Sequence, residues 1–261
     1  MNPALWAAKT GLDAQQTSLS VVSNNLANAN TTGFKKGRVV FEDLLYQNVS
    51  QVGGSTSQGT QAASGLTLGT GVRVVATEKN FAQGAMNQTN NPLDMAINGR
   101  GFFQVLMPDG STAYTRAGDF QLNNQGQIVT SSGYVLQPAI TIPTGVQSVT
   151  IGRDGVVTVV QPGSNTPTQV GSIQLVDFVN PAGLQPRGEN LYTESASSGT
   201  AQSGTPGLNG LGTLSQAFVE GSNVNVVEEM VNMIETQRAY EMNTKAIQTA
   251  DQMLQYLSNN V

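Results

Sequence analysis

The 261-residue chain contains no histidine and no cysteine. That removes the commonest general base, the thiolate nucleophile, the thiolate metal site and every catalytic triad built on a histidine. Carboxylates remain. Asp109, Asp119, Asp154 and Asp177 are scattered through the middle of the chain, and two of them could serve glycoside hydrolysis if the fold set them face to face. Their spacing selects no pair, however, and aspartate beside glycine or proline is first a turn former. Gly69-Thr70-Gly71 and Gly99-Arg100-Gly101 continue neither as a dinucleotide fingerprint nor as a phosphate loop, and read as turns or bulges. Glu228, Glu229, Arg238, Glu241 and Lys245 punctuate one helical stretch, with Glu241 and Lys245 in the favourable i, i+4 order. Exposed helix charges or pairs between subunits account for them. No catalytic, cofactor or metal site is predicted.

With a net charge of -5 and a pI near 4.7, the chain has no general field for nucleic acid or anionic lipid. Its one basic cluster, Lys35, Lys36 and Arg38, reads as a solvated turn. Charged residues are 11% of the total, against about a quarter in an ordinary soluble domain. A polar but nearly uncharged surface suits a subunit packed among many neighbours, because a charge buried at a contact must be paired. It equally suits a β-rich extracellular protein heavy in Gly, Ser and Thr. No stretch approaches the roughly 18 apolar residues of a membrane span. Met1 to Gln15 lacks a basic leader, and its apolar run from Ala4 to Ala8 is too short for a cleavable signal, so the expectation is a cytoplasmic protein or one exported without a cut signal.

The elements that would position any site are clearest at the two ends. Leu5, Leu12, Leu19 and Leu26 recur at a heptad period, with Val22 between them, and Val226, Met233, Tyr240, Ile247 and Leu254 do the same near the C-terminus. Each stripe asks for a partner helix, and each chain end offers one to the other. The N-terminal helix is expected from Pro3 to about Asn28, where Asn24, Asn25, Asn28 and Asn30 lead into Thr31-Thr32-Gly33 and turn the chain. Four leucines do not offset the backbone entropy of ordering it, so it is expected to be disordered alone and to fold on meeting partners. The C-terminal helix runs to about Leu257, capped by Asn223 or Asn225.

Between the helices the chain changes character twice. Phe41, Leu44, Leu45 and Tyr46 suggest a short strand or helical turn, and Asn48 to Ser64, including Gly53-Gly54, is dominated by Gln, Ser, Thr and Gly. It reads as a disordered linker or as an arm ordered between subunits. From about Leu66 to Glu220 hairpin signals follow one another: Pro108-Asp109-Gly110, Asn123-Asn124-Gln125-Gly126 and Asp154-Gly155 each separate two β-rich runs, and a further strand is expected over Ser172 to Val179. The predicted fold is α+β: residues 1–30 and 222–261 as a coiled-coil-like helical domain, 31–65 as an extended linker or brace, and 66–221 as a central all-β domain.

Two motifs at the ends carry a resemblance. Asn24-Asn25-Leu26-Ala27-Asn28, followed by Gly33-Phe34-Lys35, together with Asn223-Val224-Asn225-Val226-Val227-Glu228-Glu229 running on to Gln237-Arg238-Ala239-Tyr240-Glu241, resembles the bacterial flagellar rod and hook protein family. Asn98-Gly99-Arg100-Gly101-Phe102-Phe103 and Tyr114-Thr115-Arg116-Ala117-Gly118-Asp119-Phe120 are similar to that family's β domain. Trp6 to Gln16, Tyr46 to Ser64 and Thr205 to Gly210 resemble its distal-rod branch most. The resemblance implies a subunit that passes unfolded through the flagellar type III export apparatus and assembles with copies of itself into a hollow helical shaft across the periplasm. Its implied partners are proximal rod proteins, the hook or hook–rod junction, and the surrounding P and L rings. It implies no cofactor, no nucleic acid and no membrane insertion. Phe41 and Leu45 fit the short pattern by which such subunits are recognised for export, with packing inside the folded subunit as the alternative. Residues 46–64 match the insertion read as a brace between subunits. Closely related proximal rod or hook subunits, and a secreted β-domain enzyme acting on peptidoglycan, are the competing readings.

Overall fold

The computed structural model describes the backbone of residues 3–50, 55–57, 60–61, 63–163 and 166–259. The chain divides into two compact units. One holds Met1–Ala27, Gly37–Glu78 and Asn225–Val261, and the other Asn28–Lys36 and Lys79–Val224.

In the first unit, helix α1 (Pro3–Ala27) starts on its proline, whose fixed φ and missing N–H suit a first helical turn. Strand β1 (Gly37–Asp43) pairs with β6 (Val72–Lys79), and between them β2 (Gln47–Ser50) pairs with β5 (Leu66–Leu68) and β3 (Ser55–Ser57) with β4 (Thr60–Gln61). The described residues between Gly37 and Glu78 thus pair as successive two-stranded ribbons, in the unit that holds the helices. The division between the units at Glu78 and Lys79 falls within the stretch expected as the β domain, 66–221. Gly53-Gly54 lie outside the described residues. Helix α2 (Val226–Asn259) is capped by Asn225, whose Oδ1 accepts from the N–H groups of Val227 and Glu228. Asn223, the other candidate cap, accepts instead from the Lys36 N–H at 2.7 Å. Helix α1 lies against α2 and β1.

The second unit is all-β. Its strands in order are β7 (Met86–Gln88), β8 (Met95–Asn98), β9 (Phe102–Leu106), β10 (Thr112–Thr115), β11 (Phe120–Leu122), β12 (Ile128–Thr130), β13 (Val135–Gln137), β14 (Ser148–Ile151), β15 (Val156–Val160) and β16 (Thr168–Ser172). After them come β17 (Leu175–Asp177), β18 (Gln185–Gly188), β19 (Leu191–Thr193), β20 (Gln202–Gly204), β21 (Thr213–Gln216) and β22 (Phe218–Glu220). The three hairpins read from the sequence form as β9–β10, β11–β12 and β14–β15, with Gly110, Gly126 and Gly155 supplying the left-handed φ their turns require. Within the strand expected over 172–179 the structure has β17 alone (Leu175–Asp177), with β16 ending at Ser172.

The main sheet runs β11-β12-β13-β9-β10-β19-β18, with β17 joining β9 to β20. Alternation along its strands sends neighbouring residues to opposite faces, and both faces are covered. Phe103, Val105 and Leu175 belong to a large core with Met95, Phe120, Leu136 and Leu214. Phe102, Tyr114 and Val176 belong to a second cluster with Phe178, Leu184 and Tyr192, whose rings meet edge to face at 4.8–6.3 Å.

Candidate assembly site

The seam between α1 and α2 is made of small and polar residues. Ala14, Val22 and Asn25 are buried on α1, and Glu229, Thr236 and Ala250 on α2. Asn25 Nδ2 donates to Glu229 Oε2 at 3.0 Å, near the end of one helix and the start of the other. A methyl added at Gly11 would stand 3.1 Å from Asn243 Nδ2. These two contacts lie two heptads apart along each helix and in opposite directions, so the helices are antiparallel. Small residues on the line of closest approach let the backbones come together, and this displaces the leucine stripe sideways. Leu5, Leu12, Leu19 and Leu26 are half-buried flanking residues, while Met233 and Ile247 are half-buried and Val226, Tyr240 and Leu254 exposed.

The opposite face of α2 is apolar and open. Val227, Met230, Val231 and Ile234 are all exposed and follow the i, i+3, i+4, i+7 spacing of helix residues that enter a partner's groove. The ribbons carry a second apolar surface: Phe41, Tyr46, Val49, Leu66, Leu68, Val74 and Val75 are exposed, and Leu45 is 91% exposed. Phe41 and Leu45 are thus both exposed, Leu45 far more than Phe41 at 41%. A two-stranded ribbon is marginal in water without cover on one face, and here the uncovered side chains are the apolar ones.

The motif after α1 belongs to the second unit, where it is clamped by charge. Lys35 and Glu220 are both 0% exposed, with Lys35 Nζ 2.5 Å from Glu220 Oε1 and 2.8 Å from the Ala82 carbonyl. The other oxygen of Glu220 accepts from Arg116 Nε at 2.9 Å, while Arg116 Nη1 donates to the Gly99 and Gly101 carbonyls. The N–H groups of Gly84 and Gly33 donate to the Glu220 carboxylate and carbonyl respectively. Burial pushes the Lys35 ammonium below its usual pKa, partly offset by Glu220. The reading of Lys35 as part of a solvated turn is thus corrected: its carboxylate partner is 185 positions away. Within the rest of the motif, Gly33 and Phe34 are buried, Asn28 and Leu26 half-buried, and Asn24 and Ala27 exposed.

Arg116 and Glu220 escaped the sequence reading. Arg116 lies within Tyr114-Thr115-Arg116-Ala117-Gly118-Asp119-Phe120 with no local signal of its role, and nothing near Glu220 marks it. The glycines of Gly99-Arg100-Gly101 take φ of 114° and 128°, and this bend is what turns their carbonyls onto Arg116.

The four aspartates do not converge on a substrate site. Asp109 accepts from Ser111, which holds its carboxyl below the usual pKa, and pairs with Arg187. Asp119 accepts from Ser131, Asp154 from the Val156 N–H, and Asp177 pairs with Arg100 at 3.1 Å. Among the described residues no cluster of three or more acidic ligands could hold a metal, and no helix is long and apolar enough to cross a membrane.

Buried charge spent on clamping chain segments, with apolar side chains left outside on a helix and a ribbon, defines a structural subunit built to associate. The family model for flagella basal body rod proteins matches residues 5–35, that for the flagellar hook protein FlgE/F/G D1 domain matches 96–159, and that for the FlgEFG rod protein C-terminal region matches 215–260. The chain is similar to the flagellar basal-body rod protein FlgG of Buchnera aphidicola subsp. Schizaphis graminum, 57% identical over 258 residues covering 99% of each chain. It is 48% identical over 256 residues to the FlgG of Caulobacter vibrioides and 41% identical over 263 residues to that of Bacillus subtilis, with 98% of each chain covered in both cases. A FlgF rod protein of Caulobacter vibrioides is less similar, at 37% over 248 residues. The chain belongs to the FlgG family of flagellar basal-body rod proteins. It is a structural protein, not an enzyme.

Proposed function

We infer that the protein is a subunit of the flagellar distal rod, which assembles with copies of itself into a hollow, rigid shaft carrying torque from the motor to the hook. The observation that carries this reading is the apolar face of α2 formed by Val227, Met230, Val231 and Ile234, which lies opposite the seam with α1 and is exposed in the single chain. In the shaft, α1 and α2 pair as a coiled-coil-like unit, and the leucine flank of α1 and the outer face of α2 meet neighbouring subunits. The ribbons between β1 and β6 act as a brace against adjacent copies.

Proximal rod proteins below, the hook or its junction above, and the surrounding P and L rings are the expected partners, at the flagellar basal body in the periplasm. Export is through the flagellar type III apparatus without a cleaved signal, with Phe41 and Leu45 read in the unfolded chain before the subunit folds. Deleting the gene tests the reading. Basal bodies isolated from the deletion strain should lack a completed rod and the cells should not swim, whereas complete rods in that strain would contradict it.

A further inference from the structure

Asn25 and Glu229 are 2% and 3% exposed in a seam whose other buried side chains are Ala14, Val22, Thr236 and Ala250. Asn25 is fully occupied there. Its Oδ1 accepts from the Gly37 N–H at 2.8 Å and its Nδ2 donates to the Gly37 carbonyl at 2.8 Å, so the side-chain amide pairs with β1 as a backbone peptide would. The same Nδ2 donates to Glu229 at 3.0 Å. One side chain therefore ties α1 to the first residue of β1 and to the first turn of α2.

We propose that the Asn25–Glu229 hydrogen bond is the register pin of the terminal helices, the contact that selects one antiparallel alignment of α1 on α2. The other seam residues, Gly11, Ala14, Val22, Thr236, Asn243 and Ala250, include no large side chain that a slide of one heptad would unseat, so packing alone discriminates poorly. A buried polar pair does discriminate, because each partner left unmatched is a desolvated polar group. The position of the pair sharpens this. A slide in one direction carries Asn25 past Val226, where α2 begins, and in the other carries Glu229 past Ala27, where α1 ends. The close approach of Gly11 to Asn243 fits the same alignment but involves no buried charge. The proposal deepens the assembly reading, since neighbouring subunits meet a defined surface only if every copy has one register.

The absence of native cysteine makes the test direct. Gln16→Cys and Arg238→Cys place spin labels on exposed positions of α1 and α2, and pulsed dipolar spectroscopy on the soluble full-length chain reads their separation whether or not the protein assembles. The otherwise native chain and a Glu229→Gln variant, which keeps an accepting oxygen, should each give one narrow distance, the same in both. Glu229→Leu should broaden it or add a second population displaced along the helix by about 10 Å, one heptad of rise. Asn25→Leu combined with Glu229→Leu removes both members of the pair, though it also frees the Gly37 N–H and carbonyl that Asn25 engages; it should keep the helical content, read by circular dichroism, while showing the same multiplicity. A single native distance in both leucine variants, or no single distance in the native chain, would overturn the proposal.

Discussion

Lys35 and Glu220 form an ion pair with no solvent exposure on either side chain, and Arg116 shares the same carboxylate. One anion therefore compensates two buried cations. Glu220→Gln leaves both uncompensated, while Lys35→Met leaves an intact Arg116–Glu220 pair. Breaking a buried pair typically costs about 3–5 kcal/mol. Glu220→Gln is expected at or above the top of that range and Lys35→Met near the bottom, measured by urea denaturation followed through near-ultraviolet circular dichroism. A larger loss for Lys35→Met would show that the carboxylate is not the hub.

Gly33 takes a φ of 70°, and a Cβ there would fall 2.5 Å from the Ala117 nitrogen. Backbone strain and the clash add, so Gly33→Ala should cost about 2–3 kcal/mol or more. Gly110, also left-handed but with nothing within 4 Å of its Cβ position, should cost only about 1–2 kcal/mol on the same substitution. Thermal midpoints of the two variants rank them, and equal midpoints would contradict the close approach.

Burial pushes the Tyr192 phenol up to about 12. Its folded pKa lies above its unfolded value of about 10, so the stability it contributes is complete below pH 10 and is lost as the pH climbs towards 12. Tyr192→Phe should lose less stability than the native chain between pH 9 and about 11.5. Urea midpoints across that range check the difference, and parallel curves would contradict the burial of the hydroxyl.

The ribbons between β1 and β6 expose more apolar surface than a two-stranded element sustains alone. Deleting residues 46–64 should leave the thermal transition of the second unit unchanged and yield shafts that bend in electron micrographs. Straight, stiff shafts from the deletion variant would remove the brace from the account.

Much of this architecture was legible because it is local. Turn residues at Asp109-Gly110, Asn123 to Gly126 and Asp154-Gly155 fix their hairpins within a few positions, and Pro3 and Asn225 mark where helices start. The line of closest approach between α1 and α2 is less legible, because heptad leucines are the conspicuous signal whereas Gly11, Ala14 and Asn25 are inconspicuous and bring the backbones closer. The clamp was invisible for a different reason: Lys35, Arg116 and Glu220 come from three distant stretches, and a lysine beside a second lysine looks solvated until its carboxylate is known. The open face of α2 is spelled by Val227, Met230, Val231 and Ile234, beside the longer heptad that runs through Val226 and Tyr240 on another side of the helix.

The claim on which the function rests is that α2 presents an assembly face. Met230→Asp with Ile234→Asp places two carboxylates on that face while leaving the seam untouched, and exposed substitutions of this kind shift stability by only about 0.5 kcal/mol. Sedimentation velocity over increasing protein concentration, paired with a denaturation curve for each protein, is the direct measurement. The account predicts that the native chain moves to large species while the double variant keeps its denaturation midpoint and stays a monomer. Assembly of the folded double variant at native concentrations would contradict it.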